Sequence, residues 1–200
     1  MEDVPISEIR KILNVSTTPI DIYRIAEKTC NIFTYPEIVR FKKIEQLFKK
    51  GNSELEISSR SIVHLPFDSK CCVILYMTGD HCGHWTILIK NKYGINFLDS
   101  YGDVVDSQFK YIDNDIPGQG NKHLIKLLLK YKGDVYYNEV RMQSLSDNVS
   151  TCGRYCALFL RYDYMLVDEF VKFIKNAAKK NKITCDEVVC ALSINPNINP

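Results

Sequence analysis

The chain lacks any apolar run long enough to cross a membrane. Its longest stretches, Cys71–Met77 and Cys156–Leu160, fall far short of the roughly 20 residues a helical span needs. It has no low-complexity tract and no internal repeat, so fibrous and disordered classes are excluded. One-sided charge is also missing: a net +2 does not by itself mark a nucleic-acid binder. Met1–Arg10 carry three acids and no apolar signal-peptide core, so export is not expected. No C-x-x-C unit pairs with a second one, which leaves a zinc ribbon unsupported. The eight cysteines are therefore expected as free thiols in a reducing compartment, with no metal and no cofactor.

What is present suits one hydrophobic core. Two hundred residues, 46% of them apolar, are expected to form a single domain over 1–200. Residues 1–60 read as a helical region: short helices after Ser7 and at Thr18-Pro19, then a longer one from Pro36. In that last stretch Ile38, Phe41, Ile44, Leu47 and Phe48 recur at three- and four-residue steps up to Gly51. From residue 61 the period changes. Cys71–Met77 reads as a buried central strand, Trp85–Lys90 as a second, and Ile95–Leu98 as a third returning through the Asn91–Gly94 hairpin. Gly102–Gly120 reads as a surface loop whose aspartates, among them Asp103, Asp106, Asp113 and Asp115, are solvated. A helix to Tyr131, a strand from Val135 to Met142, and helices at 152–162, 167–178 and 186–192 complete the pattern. The class is α+β, with a central, mostly antiparallel sheet packed between helices.

Three local features carry chemistry. Gly83-His84-Trp85 opens a strand, Asp99 closes the next within Leu-Asp-Ser-Tyr-Gly, and Gln143 precedes Cys152-Gly153 by nine residues. A free thiol near pKa 8.5 supplies little nucleophile at neutral pH. Cys152 follows a polar loop and begins an apolar helix. There the unpaired N–H groups and the positive end of the helix dipole favour the thiolate, and Gly153 allows close backbone approach. Antiparallel strands joined by a tight hairpin return His84 and Asp99 to the same sheet edge, so a carboxylate holds the base that serves the thiol. The Gln143 amide and the Cys152 N–H are candidate oxyanion donors, with Asn148 as an alternative donor.

This order of His-Trp, Asp, Gln and Cys-Gly resembles the adenovirus-type maturation proteases and the SUMO-specific proteases of the same fold. Cys-Gly-Arg-Tyr-Cys-Ala-Leu-Phe-Leu (152–160) is similar to the viral branch, and Gly-His-Trp with Leu-Asp-Ser-Tyr-Gly to virophage and Polinton proteases. The likeness spans about residues 71–162. It implies an adenain-like fold with His84, Asp99 and Cys152 as the triad, Gln143 in the oxyanion hole, and Trp85 and Gly153 beside the substrate. The implied activity is a cysteine endopeptidase that cleaves capsid or other structural precursors in the host cytoplasm or virion. A DNA or peptide activator is part of the same expectation, and no membrane is. A ubiquitin- or SUMO-like-protein isopeptidase is the alternative of the same fold.

Competing residues are few. His81 lies three residues before His84 and could pair with Cys82 as a metal ligand, but no second ligand pair is present. Lys122, Lys126 and Lys130 form one basic stripe, within a segment (120–182) holding 12 Lys and Arg against 6 Asp and Glu. A solvated helix face accounts for that stripe, and an acidic or phosphate partner is the alternative.

Overall fold

A computed structural model of the chain describes residues 4–51, 64–79, 82–110, 112 and 116–195. His81, Asp113 and Asp115 lie outside these residues. The described residues form an α+β fold of seven α-helices and a five-stranded sheet in the order β1-β2-β3-β4-β5. The strands are β1 (Thr29–Thr34), β2 (Phe67–Gly79), β3 (Cys82–Asn91), β4 (Gly94–Leu98) and β5 (Val135–Tyr137). The sheet is mixed rather than mostly antiparallel. β2–β3 and β3–β4 are antiparallel, whereas β1–β2 and β4–β5 are parallel. Parallel edges follow from connection length, since both outer strands are reached by long crossovers and only the inner strands by tight returns.

β1 falls inside the region read as helical. Its residues Cys30–Phe33 are all buried, and Asn31, a polar residue in mid-strand, is satisfied by the Leu47 and Lys49 carbonyls at 2.8 and 2.7 Å. The long helix expected from Pro36 is also absent. α3 covers only Tyr35–Ile38, and a 3-10 turn follows at Ile44–Phe48. The Gln46 side chain accepts the Lys42 and Lys43 N–H groups at 2.8 and 2.9 Å, which holds those residues outside a helical ladder. Ile38, Phe41, Ile44, Leu47 and Phe48 are nevertheless all buried, as their spacing requires.

The sheet separates two cores, and alternation along β2 explains its continuous apolar run. Cys71, Val73 and Leu75 face one side, while Cys72, Ile74 and Tyr76 face the other. The first face is covered by α2 (Pro19–Ala26), α5 (Cys152–Arg161), α6 (Val167–Asn181) and α7 (Cys185–Ile194), with α1 (Ile6–Lys11) against α7. The second face is covered by α3, the 3-10 turn and α4 (His123–Leu129). Asp106 is not solvated as expected. It is buried under this second layer and accepts from the Tyr76 hydroxyl and the Ile125 N–H, both at 2.9 Å. No helix of the described residues is long and apolar enough to cross a membrane.

Candidate active site

β3 is longer than its partner β4, and the site is built on the difference. The last rung of that ladder joins Ile87 to Leu98, so His84 and Trp85 extend past it with no strand on the β4 side. Continuing the register places Tyr101 opposite His84, and the two rings stack with centroids 4.6 Å apart. Gly83 is required before the histidine. Its φ is +155°, and a Cβ there would lie 2.0 Å from the Tyr76 carbonyl oxygen.

Asp99 follows directly after β4 and is fully buried. Its Oδ1 meets His84 Nε2 at 2.9 Å and accepts the Tyr101 N–H at 2.7 Å, while Oδ2 accepts from Gln108 Nε2. β5 has already ended here, and the Asn138 side chain takes its place. The Asn138 amide accepts the Asp99 N–H at 3.0 Å and donates to the Asp99 carbonyl at 2.6 Å. The carboxylate is thus fixed from both its backbone and its oxygens. With Nε2 committed to Asp99, Nδ1 of His84 is left for the sulfur.

Cys152 is the first residue of α5 and is partly exposed. The N–H groups of Arg154 and Tyr155 both reach the Thr151 carbonyl, at 2.9 and 3.1 Å, so those of Cys152 and Gly153 stand outside the helical ladder. Burial alone would raise the Cys152 pKa. The hydrogen bond and charge of His84, with the Trp85 and Gly153 N–H groups donating to the sulfur, outweigh it and lower the value. The reverse balance holds at His84. Burial disfavours its charge, but Asp99 and then Cys152 raise its pKa from 6.5 to about 10. Both partners shift toward the same state, a thiolate facing an imidazolium.

Gln143 is buried beside this pair. The Ser100 hydroxyl donates to its Oε1 at 2.7 Å, which fixes the amide's orientation. Among the described residues its NH₂ is held only by 3.3 Å contacts to the Tyr101 hydroxyl and the Val149 carbonyl. Loosely held donors are free to turn to a stronger acceptor. Gln143, His84, Trp85, Tyr101 and Cys152 line one cleft of about 300 Å³. Asn148, the alternative donor, is exposed and does not line it. Gly153 does not line the cleft either. It is buried, and a Cβ on it would strike Thr17 and Trp85, so its smallness serves packing rather than substrate approach.

Several contributors went unassigned in the sequence. Ser100 and Tyr101 belong to the Leu-Asp-Ser-Tyr-Gly motif, in which the sequence suggests a role for Asp99 only. Asp186 accepts the Ser144 N–H at 2.9 Å and the Thr151 hydroxyl at 2.5 Å, closing the loop between Gln143 and Cys152 at both ends. Burial raises the Asp186 pKa against these hydrogen bonds. Asn138, Gln108 and Asp186 carried no local signal, since only the tertiary fold gives them partners.

No family model matches the chain. It is similar to a protein of Sputnik virophage named uncharacterized protein V9, with 29% identity over 191 residues, 94% of this chain and 99% of that relative. The relation to a virophage protein therefore extends over the helical and sheet regions alike.

Proposed function

We propose that the chain is a cysteine endopeptidase of adenain-like fold that cleaves capsid or other structural precursors during maturation of a virophage-like particle. The observation that supports it best is His84, bonded to buried Asp99 at 2.9 Å and sharing one cleft with a thiol at the head of α5 whose pKa it lowers. A histidine held by a carboxylate beside a cysteine whose pKa is lowered is the arrangement that thiol acyl transfer requires.

In this reading the Cys152 thiolate attacks the scissile carbonyl carbon, and the charge moves to the carbonyl oxygen. Gln143 Nε2 and the Cys152 N–H stabilise that oxyanion. The tetrahedral species collapses as His84 passes its Nδ1 proton to the leaving amine, which leaves a thioester on Cys152. Water, deprotonated by His84, then attacks the thioester, releases the new carboxyl terminus and restores the ion pair. Tyr101 stacked on one side of the imidazole and Trp85 beside it limit water at the base.

The test is to incubate wild type and Cys152→Ala with the structural proteins of the source genome and map new termini. Cleavage by wild type alone supports the proposal. Equal cleavage by Cys152→Ala ends it. Capture of wild type by a ubiquitin-family electrophilic probe, without precursor cleavage, reassigns the same chemistry to isopeptide substrates.

A further inference from the structure

The sequence ahead of α2 offers no chemistry, yet its Ser16 and Thr17 reach the cleft. The Leu13 carbonyl accepts the Ser150 N–H at 2.7 Å, which ties it to the loop two residues ahead of Cys152. The Thr17 carbonyl accepts the Trp85 indole N–H at 3.1 Å. Between these bonds the Thr17 side chain fills the space at Gly153, where a Cβ would lie 2.6 Å from Thr17 Cβ and 3.1 Å from Trp85 Cδ1. Ser16 and Thr17 also form part of the cleft wall.

Both ends of this segment are anchored. Arg10 Nε bonds Glu187 at 2.8 Å, which fixes α1 to α7. Thr18 opens α2 with a capping box in which its own N–H and hydroxyl meet the Asp21 carboxylate at 3.0 and 2.6 Å. The Thr17 side chain is held by shape. Its hydroxyl is buried and has no partner among the described residues.

We infer that Leu13–Thr17 is a positioning element of the active site, a clamp that sets Trp85 against the first turn of α5 and so places the Cys152 sulfur. The inference rests on the protease reading for its role in turnover, but its geometry does not. Gly153 follows Cys152 directly, Trp85 lines the cleft beside that sulfur, and both pack against Thr17. A shift of Thr17 therefore moves two of the sulfur's neighbours together.

The test is a contact exchange read by iodoacetamide labelling of Cys152 against pH, with folding followed by circular dichroism. Gly153→Ala, which drives a methyl into Thr17, should move the labelling profile upward by about one pH unit, a tenfold loss of thiolate at lower pH. Thr17→Gly, which empties the same contact, should move it upward too, by less, and an unmoved profile counts against the clamp. The double variant should return to within about threefold of wild type, because the new methyl then has room. A double variant as impaired as Gly153→Ala overturns the clamp, as does an unshifted Gly153→Ala. Should Gly153→Ala not fold, Trp85→Phe removes the indole N–H bonded to Thr17 together with part of the ring. An upward shift then supports the clamp and an unchanged profile sinks it. Labelling needs no substrate, so the two ideas fail separately. A wild-type Cys152 that labels like a free thiol defeats the protease reading, whereas early labelling without rescue defeats only the clamp.

Discussion

Cys152 and Cys156 stand one turn apart on the same helix, and their thiols are pushed in opposite directions. Cys156 is buried in the core between α5 and the sheet, where burial and then the nearby Cys152 charge raise its pKa well above the ordinary value. Cys152 also suffers desolvation, but His84 and two backbone N–H groups reverse the balance. The first turn of a helix has unpaired donors to offer and the second has none. What separates the lowered thiol from the raised one is therefore the supply of partners, more than the degree of burial.

The most severe way to break this contrast is His84→Ala. Cys152 should then behave like its neighbour, with labelling below pH 7 lost and hydrolysis reduced to background. The sign of the stability effect follows from the raised imidazole. The contribution of His84 is complete below its ordinary value of 6.5 and is lost as pH rises through about 10. The melting-temperature gap between wild type and His84→Ala should accordingly narrow from pH 6.5 toward pH 10.

Asp99→Asn comes next. It removes the charge that holds the imidazolium, and turnover should fall by on the order of 10⁴-fold in a steady-state assay. A loss below about tenfold would mean that Asp99 holds no catalytic base. Gln143→Ala sharpens the comparison differently. It should slow turnover by roughly a hundred- to thousandfold while the Cys152 labelling profile stays in place, because the amide bonds Ser100 and not the sulfur. A moved profile would show that Gln143 sets the thiol rather than the oxyanion. The smallest effect belongs to Cys156→Ala, expected to cost about 1 kcal/mol in chemical denaturation and to leave labelling unchanged.

The residues that meet at the cleft were legible because each sits at a local boundary the sequence marks: a glycine before His84, a strand end at Asp99, a polar loop before Cys152. The central strands were legible for a similar reason, since two covered faces impose a continuous apolar run. β1 was not, because Asn31 interrupts its short apolar stretch and finds its partners near residue 48, beyond any local pattern. The region after Pro36 shows the opposite failure. Its helical spacing named the right buried side chains, but the Gln46 cap at Lys42 and Lys43 selected a turn that buries the same set. The supporting amides Asn138 and Gln108, and the Thr17 contact, depend on distant chain crossings that spacing does not encode.

The double attachment at Asp186 has a consequence for how this site tolerates change. With Ser144 and Thr151 both fixed to one carboxylate, the length of the tip between them does not enter the distance from amide to sulfur. Val149 and Ser150, at the far end, hold Gln143 and Leu13. Residues added at the exposed tip, around Leu145 and Asp147, would bulge outward and leave the reacting groups where they are. That tip is accordingly a place to graft a reporter tag without disturbing the cleft.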